Sequence, residues 1–194
     1  MQRLGDILDG TDTLIVEDDG VADISTAPRH SLGGRFADRT IHILSYSKTH
    51  GPDLRLAVLS SSRAIVEQIQ SYRSFSAGWT SRILQAATAW LLRDPLTEAS
   101  LQRSRDIYFR RRADLVDALG ERGIEAQHGC GLCAWVPVSS EPFAMVTLAA
   151  RGIAVHPGAK FSILPSAHLR VATAILSDRL NDVADSIALA ASPA

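Results

Sequence analysis

Cysteine, methionine and aromatic residues are scarce in this 194-residue chain, which has two cysteines, two methionines and 6% aromatics. So few cysteines exclude a disulfide-stapled scaffold. Neither sign of charge prevails: 20 Lys and Arg face 21 Asp and Glu, for a formal net charge of -1. There is thus no global pull toward nucleic acid or an anionic membrane. No signal peptide is expected, and the sequence shows no apolar run long enough to span a bilayer, no internal repeat and no low-complexity tract. With 46% hydrophobic residues the composition is that of a globular chain with a core, expected to be soluble and cytoplasmic.

What the chain does have is Ser45-Tyr46-Ser47-Lys48-Thr49-His50-Gly51-Pro52, which sets a lysine where a strand ends. In a Ser/Thr/Gly-rich turn a lysine is by itself a solvated loop residue. Held among hydroxyls and apolar strand ends, its amine loses a proton more readily and can condense with an aldehyde. Upstream, Thr13-Leu14-Ile15-Val16-Glu17-Asp18-Asp19 is an apolar run closed by carboxylates, the pattern of a buried strand. Ligands of open α/β sheets gather beyond the carboxyl ends of strands, so Lys48 and Asp18 are expected to share a crevice. An amine and a buried acid suit pyridoxal 5′-phosphate (PLP), whose ring nitrogen must stay protonated to draw electrons.

Three segments, Val16-Glu17-Asp18-Asp19, Ser45-x-Ser47-Lys48-Thr49-x-Gly51-Pro52-x-Leu54-Arg55-Leu56 and Ala167-His168-Leu169-Arg170-Val171, occur in this order. In order and approximate spacing they resemble the class I/II aminotransferases of PLP fold type I, most of all the aminotransferase-like domains of MocR-type (GntR family) regulators. The resemblance implies an α/β fold: the C-terminal part of a large PLP-binding domain with a mostly parallel sheet (residues 1–94), then a connecting helix and a small α+β domain (residues 95–194). It implies transamination of an α-amino acid with a 2-oxo acid. Lys48 would form the Schiff base and carry the α-proton. Asp18 would pair with the ring nitrogen, Ser45, Ser47 and Arg55 would hold the phosphate, and Arg170 would grip the substrate carboxylate. Members are commonly homodimers. Taken singly, Arg55 and Arg170 also read as solvated strand residues, the serines as turn residues and Asp19 as a surface acid.

Two departures from the family pattern stand out. Where the family has a tyrosine two residues after the aspartate, this chain has Gly20, which supplies no hydroxyl. The match also covers only the second half of the family's catalytic domain. An incomplete pocket and an exposed sheet edge are therefore expected, and no winged helix is present to bind operator DNA. These departures leave room for a non-catalytic effector-domain remnant that holds PLP or an amino acid, or for an inactive fragment. Reading Ser45-x-x-Lys48 as an acyl-transfer nucleophile and base is poorly supported, because neither S-D-N nor K-T-G follows.

Other features place the elements. Strands are expected near 13–17, 41–45, 54–59, 132–138, 153–156 and 168–174. Helices are expected near 1–12, 62–70, 81–92, 141–150 and 178–191, the last capped by Ser177. After Asp94-Pro95 a long helix should bury the stripe Leu101, Tyr108, Leu115 and Leu119 and stop at Gly120. Arg110-Arg111-Arg112 is expected on a solvated face. Cys130-x-x-Cys133 has metal or redox spacing, yet no second ligand pair follows, which favours buried or half-buried thiols. Trp135, His156-Pro157-Gly158 and Phe161 also follow the family pattern. His156 is left outside the catalytic set and Trp79 is expected to pack.

Overall fold

The computed structural model describes residues 1–165 and 167–192 and divides into two compact units, Met1–Arg103 and Ser104–Ala194. In the first unit, helix α1 (Gln2–Leu8) precedes strand β1 (Ile15–Asp19), strand β2 (Thr40–Ser45), strand β3 (Ala57–Ser60) and helices α2 (Arg63–Ser74) and α3 (Arg82–Leu91). β1 and β2 run parallel, with Asp18 opposite Ile43, whereas β3 returns antiparallel to β2. The sheet is thus mixed, in the order β1-β2-β3.

Alternation along β1 sets two different faces. Ile15 is buried and Glu17 and Asp19 are half-buried, while Val16 and Asp18 are exposed. Glu17 accepts from the Ser31 hydroxyl at 2.7 Å and the Leu32 N–H at 2.7 Å, and Asp19 accepts from the Ala22 N–H at 2.9 Å. The segment between β1 and β2 therefore ties down the Glu17 and Asp19 side. Asp19, read as a surface acid, caps a turn. Asp18, expected to be a buried acid, is exposed because its own face of the sheet lacks such a cover.

Helix α4 (Pro95–Gly120) crosses the division between the units. Asp94 starts it by accepting from the N–H and the hydroxyl of Thr97, both at 2.8 Å, with Pro95 supplying a preset φ. Leu101, Leu115 and Leu119 are buried and Tyr108 is half-buried, as the stripe predicts. As expected, Gly120 is the last residue of α4; beyond it the chain turns away at Gly123, at φ 77, where the Ile124 N–H returns to the Leu119 carbonyl at 3.0 Å in a Schellman closure. Three consecutive arginines span more than half of a helix circumference, so they cannot share one face. Arg112, expected to be solvated, is only 3% exposed.

The second unit holds strand β4 (Cys133–Pro137), helix α5 (Glu141–Ala149), strand β5 (His156–Pro157), strand β6 (His168–Ala172) and helix α6 (Leu180–Ala191). The three strands form an antiparallel sheet in the order β4-β6-β5. Ala134, Val136, Leu169 and Val171 point into a core with Leu115, Leu119, Leu148 and Ile187. Cys133, Trp135, His168 and Arg170 alternate onto the opposite face. α5 stops like α4, with Gly152 at φ 72 and the Ile153 N–H on the Leu148 carbonyl at 2.9 Å. Arg179 rather than Ser177 occupies the N-cap position of α6, because the Ser177 hydroxyl donates to the Asp178 carboxylate instead. Cys130 is exposed and Cys133 half-buried, both as free thiols. Among the described residues no His, Cys, Asp and Glu side chains cluster as a metal site.

Candidate functional site

The parallel pairing of β1 and β2 brings two strand ends side by side. Register places Asp18 beside Ile43, and Ser45 lies two residues further along the same face of β2. Beyond Ser45 the chain turns tightly, with the N–H groups of Thr49 and His50 donating to the Tyr46 carbonyl at 3.3 and 2.9 Å. Tyr46 anchors this turn. Its ring is 6% exposed and meets His50 edge-on at 5.3 Å, and its N–H donates to the Leu56 carbonyl at 3.0 Å. Burial, assisted by Asp23, raises the Tyr46 phenol above its ordinary pKa, so it stays neutral.

Such an anchor leaves Lys48 at the crest of the turn, exposed, with no hydrogen-bond or ion-pair partner among the described residues. Its Nζ lies 3.2 Å from the point where a Cβ on Gly20 would stand. The amine thus reaches across from the end of β2 to the end of β1, into space that a larger residue at position 20 would contest.

Arg55 does not lie on a strand, contrary to the alternating pattern of its neighbours. It follows a 3-10 turn (Pro52–Leu54) in the left-handed region, at φ 44 and ψ 36. That conformation costs a non-glycine residue about 1–2 kcal/mol. It sends the guanidinium back to Ser47, whose hydroxyl accepts from Nη1 at 3.4 Å. The Ser47 N–H in turn donates to the Ser45 hydroxyl, also at 3.4 Å. Two hydroxyls and a guanidinium so linked suit a phosphate dianion, and an accessible amine beside an unfilled position suits an aldehyde. The residues present therefore fit PLP.

Arg170 belongs to the second unit, on the half-exposed face of β6. Its Cα partners across the sheet are Trp135 and His156. Its guanidinium lies 4.9 Å from the Phe161 ring centroid, a cation-π contact, and has no carboxylate partner among the described residues. Trp135 stacks on His168 at 5.4 Å and meets Phe161 edge-on at 6.5 Å. Gly158 permits this packing, since a Cβ there would come within 2.7 Å of the His168 carbonyl oxygen. Of the expected site residues, the first unit gathers Ser45, Ser47 and Arg55, sets Lys48 against Gly20 and puts Asp18 on the same sheet face as Ser45. The Tyr46 anchor was not singled out from sequence, although an aromatic between two serines was a visible signal; Phe161 was noted there only as following the family pattern, without its contact to Arg170.

A lysine at parallel strand ends, followed along the chain by an antiparallel α+β unit, defines a protein of PLP fold type I. The aromatic aminotransferase from Pyrococcus horikoshii superposes with a TM-score of 0.87 at 20% identity, over 96% of this chain and 53% of that one. Aspartate aminotransferase from Thermus thermophilus with maleate gives 0.86 at 22% identity, over 96% and 50%. The family model of aminotransferase class I and II matches residues 18–187, and the chain belongs to that family. Among curated relatives, the vitamin B6 salvage pathway transcriptional repressor PtsJ of Salmonella typhimurium is 32% identical over 85% of this chain and 39% of its own length. Aromatic-amino-acid aminotransferase 2 of Thermococcus litoralis is 28% identical over 86% and 44%. The chain therefore spans about two fifths of the length of these relatives. The likeness to regulators of the MocR type is borne out by the first of them.

Proposed function

We propose that this chain carries the PLP-binding lysine half of an aminotransferase-like site, acting on α-amino acids and 2-oxo acids. The observation that carries the reading is the reach of Lys48 Nζ to within 3.2 Å of the Cβ position at Gly20, across two parallel strand ends. When bound, the cofactor supplies an aldehyde that takes up amines and a cationic ring that stabilises charge at the substrate α-carbon. Lys48 would hold the cofactor through its amine and move the proton at the substrate α-carbon. Asp18 would face the ring nitrogen, and Ser45, Ser47 and Arg55 would hold the phosphate. Arg170 orients the substrate carboxylate with its planar fork of donors. The setting is cytoplasmic, in keeping with the absence, among the described residues, of a helix long and apolar enough to cross a membrane.

Likeness to a transcriptional repressor favours a second reading, an effector module that holds PLP or an amino acid without turning it over. Gly20, which offers no side chain beside Lys48, supports it. Adding PLP separates these possibilities. The expected outcome is a cofactor absorbance shifted to longer wavelength, abolished in Lys48→Ala; an unchanged shift in that variant overturns the role of Lys48. An α-amino acid then removes the shifted band and releases its 2-oxo acid if the chain is an enzyme, and releases none if it is an effector module.

A further inference from the structure

Beyond the cofactor residues, the second unit has a groove between α4 and the segment that leads from β6 into α6. Ile107, Arg110, Arg111 and Asp114 form one wall, and Leu176, Ser177, Asp178 and Leu180 form the other, around about 380 Å³. That volume falls within the range of about 300–1,000 Å³ common to small-molecule sites. The helical wall follows from spacing, since positions i, i+3, i+4 and i+7 share one face.

Charges in this groove are arranged unusually. Arg110 and Asp114 lie one turn apart, the distance at which side chains on a helix pair, yet they do not pair; arginine before the acid is the poorer order. The Arg110 Nε donates only to the Asp106 carbonyl of its own helix, at 3.2 Å, and Asp114 has no partner among the described residues. Arg111 is committed differently: its Nη1 donates to the Ala174 carbonyl and ties the opposite wall to the helix. Asp178 is held below the ordinary carboxylate pKa first by the Ser177 hydroxyl, then by its own N–H and by Arg111 and Arg179, so it stays charged. The groove thus offers an uncommitted guanidinium, two carboxylates and three aliphatic side chains.

We infer that this groove binds a small zwitterion with an aliphatic body, an α-amino acid of the leucine type. The ligand carboxylate meets Arg110, its ammonium meets Asp114 and Asp178, and its side chain lies on Ile107, Leu176 and Leu180. A singly charged ligand would leave one sign of charge in the groove unmatched. No residue of the proposed PLP site takes part, so the inference stands apart from that reading. The site suits an amino acid that regulates rather than reacts.

The test is a titration of the whole ¹⁵N-labelled chain, followed by NMR, with L-leucine, 4-methylpentanoate and 3-methylbutylamine. Leucine is expected to shift amides of residues 107–114 and 176–180 saturably, and the two singly charged analogues to bind at least about tenfold more weakly, the worth of one charge-assisted hydrogen bond. Arg110→Gln and Asp114→Asn should each weaken leucine by a similar factor while their spectra remain folded; Lys48→Ala should leave binding unchanged. Equal binding of the analogues, shifts confined to the Arg170 strand, or no saturable shift each overturns the proposal.

Discussion

At the scale of single residues, Arg55 shows a conflict between stability and binding. Its left-handed backbone is one that glycine adopts without steric cost. Arg55→Gly is therefore expected to raise the thermal midpoint by a few degrees, for a net gain of about 1 kcal/mol or less, and to weaken PLP binding at least tenfold. Calorimetry and a PLP titration on the same sample check both halves. Gly20→Ala should leave the midpoint unchanged, because only the mobile tip of Lys48 must yield, yet it should slow the appearance of the shifted PLP band. Stopped-flow absorbance measures that rate. Lys48, Ser45 and Ser47 were legible in sequence because hydroxyls and an amine at a strand end make a local pattern. The exposure of Asp18 was not, since burial depends on what covers a sheet face rather than on the strand's own residues. Nor was the left-handed turn at Arg55, for its neighbours alternate as a strand would.

At the scale of elements, two sites control how segments begin and meet. Asp94 is held below the ordinary carboxylate range chiefly by the Thr97 hydroxyl and then by the Thr97 N–H. A carboxylate with a depressed folded pKa stabilises above its unfolded value, about 4, and that contribution fades as pH falls through the lower folded value. Asp94→Ala should thus lower the thermal midpoint at pH 7 and make no difference once the wild-type group is protonated, which melts at pH 7 and in strong acid compare directly. Gly158→Ala forces a Cβ to within 2.7 Å of the His168 carbonyl, against backbone. Loss of about 1–3 kcal/mol is expected by urea denaturation, with the Trp135 packing disturbed. The helices were readable because apolar stripes are local signals, whereas the cap expected at Ser177 was not realised. The antiparallel return of β3 was less readable, because strand direction depends on pairing.

At the scale of the whole chain, the two units differ in how much they bury. The main cluster of buried residues runs from Leu115 to Ala191, all in the second unit. In the first unit β3 is largely exposed and α2 has no buried residue. Hydrogen exchange should therefore protect amides of β4, β6, α5 and α6 far longer than those of β3 and α2; equal protection would refute this difference.

The three tryptophans follow the same division. Trp79 and Trp90 of the first unit are 79% and 64% exposed, whereas Trp135 is half-buried against the His168 ring. An excited indole in water relaxes to longer emission wavelengths than one shielded by protein. The red side of the intrinsic fluorescence spectrum therefore reports on the first unit and the blue side on the second, so the chain carries its own two-colour thermometer, with no dye attached.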